Sequence, residues 1–337
     1  MQKTPAVCLL YRKPGRFFSI ERVFRQIIPF IGRENSVIEW TAPFARASPA
    51  DIAGNIRAAG KCRADVYHVT GDIHYIVAGL PRRLTLLTIH DCVFLYSTGG
   101  IKRRILKWLL LDMPVRRCRL ITTISEATKK DILRFTGCAP EKVVVIPDPV
   151  ADTIRYIPAP FRSPEPVILF VGITDNKNLI RTAEALGGIP CRLHIVGKLS
   201  PPQEEALIRH GIRYTSCSGL SDEEMAAQYA DADLVLFPST FEGFGLPIVE
   251  GQKAGRPVIT SNLSPMRETA GAGACLADPY DTASIRQAVM RVIGDAAYRE
   301  QLVQAGFLNI TRFSPAAVAK EYISCYKRLL NQSECAE

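Results

Sequence analysis

Apolar residues along this chain come in short continuous runs separated by stretches with helical spacing, and the two alternate. In the first half the runs Val7–Leu10, Ser36–Trp40, Val66–Val69, Leu84–Ile89, Leu120–Ile124 and Val143–Ile146 read as strands. Leu84–Ile89 is a near-continuous apolar run broken by Thr85 and Thr88, the pattern of a parallel strand covered on both faces. Between the runs, helices are expected over SIERVFRQIIPF with Ser19 as N-cap, from about Pro49 to Ala59, from about Ile101 to Leu111, and after Ser125. A passage with six prolines, Pro147 to Pro166, interrupts the alternation. A second set of strands follows at Val167–Val171, Arg192–Val196, Ile212–Tyr214, Leu234–Phe237 and Val258–Ile259. Its helices open near Lys177, Pro202, Ser221, Leu246, Asp281 and Pro315. Strands alternating with helices predict a doubly wound α/β domain, here two of them. The boundaries expected are 1–153, a Pro-rich hinge at 154–166, and 167–313, with a C-terminal helix at about 314–330 packing back onto the first domain. Two such domains around a hinge bind ligands at strand C-terminal ends, in a cleft where they face.

The 337 residues suffice for two cores. No apolar run reaches membrane-spanning length, and the N-terminal VCLL is too brief for a signal-peptide core, so a cytoplasmic protein is expected. The 10 cysteines include no C-x-x-C pair and no zinc-like Cys/His spacing, as expected of buried thiols in a reducing compartment. Charge changes the picture more. Residues 1–150 carry 24 Lys/Arg against 12 Asp/Glu, so the net +9 of the whole chain resides in the first half. An anionic partner is expected there. Lys102, Arg103, Arg104 and Lys107 share a stretch with Ile101, Ile105 and Trp108, a basic amphipathic helix suited to an anionic membrane surface. A domain helix with one solvated face is the equal alternative. No aromatic-interleaved basic motif points to nucleic acid.

Candidate chemistry concentrates in LVLFPSTFEGFGLPIVEGQKAG, Leu234 to Gly255. Strand, glycine-bearing turn and helix make an anion site, because glycines let amides approach closely and a helix N-terminus adds free donors and positive partial charge. Glu242 and Glu250 flank Gly243, Phe244, Gly245 and Leu246. Carboxylates repel phosphate and so suit hydroxyls on either side of one. Phosphate between two polyols describes a nucleotide-sugar.

FEGFGLPIVE, with its E-x7-E pair, resembles the most typical phrase of glycosyltransferase family four, the group 1 transferases. Phe170-Val171-Gly172 followed by Lys177-Asn178-Leu179 is a second similar phrase, and TIHD at Thr88–Asp91 a third. The resemblance implies the GT-B fold and retaining transfer of a hexosyl unit, mannosyl- or rhamnosyl-like, from a nucleoside-diphosphate sugar. The acceptor would be a glycan or a lipid-linked glycan in cell-surface polysaccharide assembly. It gives Glu242 and His90 the donor sugar, Glu250 the ribose, and Lys177 with the 243–245 amides the departing diphosphate. Gly172, Asn178, Gly219, Leu220 and Ser239 line the donor. Asp91 is expected on the acceptor side, and so are Thr70, Gly71 and Asp72, with an ordinary turn the equal alternative for these three. His68 is a weaker candidate of the same kind as His90. No metal ion or other cofactor is implied. One departure stands out: the usual arginine near Gly172 is missing, leaving Arg181 or Lys198 as substitutes. The common N-G after VVVIP is here Asp148-Pro149, which stiffens the hinge. The alternatives are a nucleotide-sugar epimerase on the same fold and a non-catalytic module that binds nucleotide-sugars or glycolipids. A glycan phosphorylase fits poorly because no pyridoxal-type lysine context is present.

Overall fold

A computed structural model describes residues 4–13 and 19–334, with the side chains of Ser19, Ser97 and 332–334 outside the description. Ser19 as an N-cap therefore lies outside the described residues. The chain forms two compact units, Met1–Pro149 with Pro315–Glu337, and Val150–Ser314.

The first unit holds strands β1 (Ala6–Tyr11), β2 (Ser36–Thr41), β3 (Val66–Val69), β4 (Thr85–Ile89), β5 (Leu120–Thr123) and β6 (Val143–Val145). They form one parallel sheet in the order β2-β1-β3-β4-β5-β6. β3, β4 and β5 are buried throughout, whereas β2 at the edge is largely exposed, consistent with its Ser36, Glu39 and Thr41. The C-terminal helix Pro315–Glu334 packs against the Ser19–Ile31 helix and the sheet, burying Val318, Tyr322 and Tyr326 with Phe24.

The second unit holds β7 (Val167–Val171), β8 (Arg192–Val196), β9 (Arg213–Cys217), β10 (Leu234–Phe237), β11 (Val258–Ser261) and β12 (Ala274–Ala277). Its parallel order is β12-β11-β10-β7-β8-β9. Strand order reverses between β7 and β10, and in the first sheet between β1 and β3. Ligands of doubly wound sheets bind at the C-terminal ends of such strands.

Several elements differ from the reading of the sequence. The expected helix over 101–111 is a helix at Gly100–Lys107 that runs through one π-turn, Trp108–Asp112, into Met113–Arg117. Pro114 explains the turn. It has no N–H to give the Leu110 carbonyl, and a proline ring crowds the carbonyl four residues back. The Leu110 carbonyl instead accepts from His74 Nδ1 at 2.6 Å. Lys177 does not open a helix. It ends a 3₁₀ turn, Asp175–Lys177, and Asn178 at φ 69° separates it from the Leu179–Leu186 helix. β12 and the Ala296–Asn309 helix were not anticipated: ACLA is too small and too short a run to stand out, and the helix buries only Leu302 and Gly306.

Candidate active site

The second unit gathers its candidate residues at the β7/β10 reversal. β10 ends at Phe237, a turn follows, and Gly245 at φ 99° caps the helix Leu246–Lys253. A side chain at Gly245 would be strained at that φ and would press on Ile248. The fixed-φ Pro247 sits in the first turn, where its missing N–H costs nothing. From β7, Gly172 at φ 91° leads into the 3₁₀ turn, and a Cβ there would come 2.8 Å from Lys177 Cε. Glycine at 172 is therefore what lets the lysine chain lie against the backbone.

Lys177 Nζ donates to Glu242 Oε1 at 2.6 Å and stands 4.6 Å from the centroid of the Phe237 ring. Both partners are mostly buried, at 18% and 14% side-chain exposure, so solvent screens this pair less than a surface ion pair. Asn176, which the sequence reading passed over, zips the two loops together. Its Nδ2 donates to the Phe241 carbonyl at 2.8 Å and to Glu242 Oε1 at 3.2 Å, and its own carbonyl accepts from Thr240 N. Glu242 is thus held by two donors from the β7 loop.

Glu250 lies on the helix, 8% exposed, with Oε2 accepting from the Tyr229 hydroxyl at 2.6 Å. Ser239, just after β10, is fully buried, and among the described residues its hydroxyl finds no partner. A buried orphan of this kind costs about 1–3 kcal/mol, and ligand-facing groups are a usual explanation. Asn178 and Phe244 turn inward. Asn178 Nδ2 donates to the carbonyls of Pro238 and Pro279, tying the end of β10 to the loop after β12, and Phe244 packs edge-on against Phe313. Gly219 and Leu220 follow β9, where Gly219 at φ 75° has open space around it.

The two candidates for the missing cation part company. Arg181 Nη1 donates to Asn178 Oδ1 and the Pro279 carbonyl, so it is engaged in the fold. Lys198 is exposed and, among the described residues, unpaired. Ile173 stands where the arginine would follow Gly172, and a Cβ on Gly197 would meet its side chain at 2.5 Å. Lys198 is therefore the next residue along.

In the first unit, Thr70, Gly71, His90 and Asp91 come together at the C-terminal ends of β3 and β4. His90 Nε2 lies 2.8 Å from the Thr70 carbonyl. A carbonyl only accepts, so Nε2 carries a proton, and the uncharged form of the ring would present Nδ1 as an acceptor. A Cβ on Gly71, whose φ is 151°, would come 2.8 Å from His90 Cδ2, so glycine makes room for the ring. Asp91 Oδ1 accepts from Val93 N, closing a turn. Arg12, at the end of β1, pairs with Glu21 and Asp72 beside this group. No local motif marks that cluster; its only signal is position at a strand end. Asp148 is buried, which pushes its carboxyl above the usual range while His90 pulls it down.

His68 does not belong to the site. It is buried inside β3, its ring nitrogens 2.8 Å from Tyr326 Oη and 2.7 Å from Thr88 Oγ1. Lys107 is also reassigned: it pairs with Asp112 at 2.6 Å, whereas Lys102, Arg103 and Arg104 are exposed and have no ion-pair partner among the described residues. The cysteines among the described residues are all free, and burial pushes Cys8, Cys92, Cys118 and Cys325 up to about 12. Among the described residues no helix is long and apolar enough to cross a membrane.

The chain is similar to proteins named as mannosyltransferases. It is 28% identical over 363 residues to the MMP alpha-(1->4)-mannosyltransferase of Mycolicibacterium hassiacum, covering 98% of this chain and 86% of that one. It is 25% identical over 242 residues to the serotype-specific mannosyltransferase WbdA of Escherichia coli, covering 65% of this chain, and it spans only 30% of WbdA. Among solved structures, Anabaena Alr3699/HepE in complex with UDP-glucose superposes with a TM-score of 0.74 at 16% identity, covering 96% of this chain and 99% of that one. The architecture is therefore GT-B. Residues 6–153 match the family model for Glycosyltransferase Family 4 and residues 165–295 that for Glycosyl transferases group 1. With both units matched and the paired carboxylates and lysine assembled at one strand-order reversal, the chain belongs to the family-four, group 1 glycosyltransferases.

Proposed function

We propose that this protein transfers a hexosyl unit, mannosyl- or rhamnosyl-like, from a nucleoside-diphosphate sugar to a glycan or lipid-linked acceptor, with retention of anomeric configuration. The observation that carries the reading is the Lys177–Glu242 pair at the β7/β10 reversal, beside a glycine-capped helix N-terminus. Departure of a diphosphate builds negative charge, and prearranged donors that meet it lower the barrier. Lys177 and the amides at 243–245 are assigned to that charge, with Lys198 as the second cation. Glu242 accepts from donor-sugar hydroxyls, Glu250 from the ribose, and His90 from sugar hydroxyls through Nδ1. In a retaining front-face route the leaving phosphate oxygen takes the acceptor's proton as the new glycosidic bond forms. We assign the charge of the leaving group to these side chains and amides, without a divalent ion. The likeness to two mannosyltransferases supports the sugar class, and HepE, solved with UDP-glucose, supports the donor class.

The test is a panel of nucleotide-sugars incubated with a crude membrane fraction, reading released nucleoside diphosphate. Release that depends on the acceptor fraction and persists in EDTA is expected, and the product's anomeric configuration should match the donor's. No release with any donor would leave a binding module and end the transferase reading.

A membrane surface is the proposed second partner. Ile101, Ile105 and Trp108 are 76%, 58% and 58% exposed, and at spacings of four and three residues they share one helix face. Lys102, Arg103 and Arg104 flank them. Near an anionic bilayer three such cations contribute about 1 kcal/mol each, and the apolar face adds burial in the interface. With Trp40 replaced by Phe, Trp108 is the remaining tryptophan. Its emission should shift to the blue on phosphatidylserine vesicles, and the protein should float with them. Neutralising Lys102, Arg103 and Arg104 to Gln should return it to the soluble fraction; equal flotation of both forms would count against the assignment.

A further inference from the structure

Two carboxylates flank the helix N-terminus, and the fold supports them differently. Glu242 is matched by a cation, Lys177. Glu250 receives a hydrogen bond from Tyr229, a neutral phenol. Tyr229 is 0% exposed, on the Asp222–Asp231 helix, and its ring sits in the apolar cluster with Leu169, Val235 and Ile248. Arg256, also buried, fixes the backbone around it, donating through Nε to the Tyr229 carbonyl at 3.1 Å and through Nη2 to the Ala230 carbonyl at 2.7 Å. A rigid ring on an anchored helix thus delivers one hydroxyl proton through the core to one oxygen of Glu250.

We propose that Tyr229 is a positioning residue for ribose recognition, holding the Glu250 carboxylate in the orientation that accepts from the ribose hydroxyls of the donor. The inference rests on the assignment of Glu250 to the ribose. A phenol suits the task better than a lysine or arginine would. It donates once and brings no charge of its own to the carboxylate, whose other lone pairs can accept from neutral hydroxyls. A cation would neutralise it and compete for the same lone pairs. The short, charge-assisted bond also fixes the carboxylate plane, and a carboxylate so fixed loses less freedom when a ligand binds.

Tyr229→Phe removes the hydroxyl and keeps the ring. Calorimetry with UDP and GDP, each compared with its 2′,3′-dideoxy counterpart, reads ribose recognition separately from phosphate and base. For the wild type, the nucleotide that binds should do so about 10-fold or more tighter than its dideoxy form. In Tyr229→Phe this ratio should fall several-fold towards one, chiefly by loss of ribonucleotide affinity, as it should in Glu250→Gln. The double variant should be no worse than Glu250→Gln alone. A purely structural role for Tyr229 would weaken both members of each nucleotide pair together, and an unchanged ratio in Tyr229→Phe overturns the inference. If instead Glu250→Gln keeps the wild-type ratio, or neither nucleotide binds, it is the ribose assignment or the donor reading that fails. Thermal unfolding of each variant accompanies the titrations. Should Tyr229→Phe not fold, a wild-type protein indifferent to the ribose hydroxyls would still overturn the proposal.

Discussion

Lys177→Ala and Glu242→Ala should each lower transfer turnover by about 10²–10³-fold, the range seen when one prearranged charge-stabilising group is removed from an active site. The two losses should not multiply. Lys177 and Glu242 are 2.6 Å apart and mostly buried, so deleting either leaves the other as an unmatched charge in a poorly solvated place. Without Lys177, Glu242 retains Asn176 as a donor but loses its counter-charge and adds repulsion towards a diphosphate. Without Glu242, the ammonium keeps the Phe237 ring beside it but loses its carboxylate and is free to reorient. The double variant should therefore be about as slow as the worse single one, the behaviour of groups that act as a unit. Lys177→Arg should recover little, since a planar fork does not replace a point charge seated against Gly172. Rates of nucleoside-diphosphate release, measured beside thermal unfolding, check all four proteins. Near-normal turnover in both single variants would falsify the mechanism, and a double variant slower by the product of the two would break the coupling.

What could be read from the sequence was what short range determines. Leu234 to Gly255 is one strand, one turn and one helix, so its glycines and carboxylates are placed by local geometry. Gly172 and Lys177 likewise lie five residues apart around a single strand end. Their meeting at one reversal follows from strand order, which the alternating pattern implies for any doubly wound sheet. The partners were not legible. Asn176 reaches Glu242 across 66 residues and Tyr229 reaches Glu250 across 21, and neither pairing leaves a trace in spacing. Burial misled in the opposite sense at His68. A histidine near the end of VYHV looks like His90 after TLLTI, but the helix Pro315–Glu334 covers it, and a contact 258 residues away cannot be seen in a local pattern. The missing arginine was visible as an absence. The engagement of Arg181 with Asn178 and Pro279, and the exposure of Lys198, belong to tertiary structure.

The first unit should lose stability steeply as pH falls below about 6.5, and His68 should account for a distinct share. Burial against Phe24, Tyr322 and Tyr326 lowers its pKa to about 3 from the ordinary 6.5, with a smaller contribution from His90. Between those values the unfolded chain binds a proton that the folded chain excludes. The stabilising contribution is therefore complete above 6.5 and is lost progressively as pH falls towards 3. The loss amounts to about 2 kcal/mol by pH 5 and on the order of 5 kcal/mol if the range could be followed to its end. His68→Gln removes the titration and keeps an amide able to reach Tyr326 Oη or Thr88 Oγ1. At pH 7.5 it should cost about 1–2 kcal/mol through imperfect hydrogen bonding. On acidification to pH 5 the gap between the two proteins should close. The buried His74, which burial also lowers, is present in both proteins, so the difference isolates position 68. Both tryptophans, Trp40 and Trp108, lie in the first unit, so their fluorescence during urea unfolding reports that unit and not the other. A stability gap between wild type and His68→Gln that stays constant from pH 7.5 to 5 would mean that His68 takes up its proton without unfolding. The buried bridge from β3 to the C-terminal helix would then not be the acid-sensitive joint that its geometry describes.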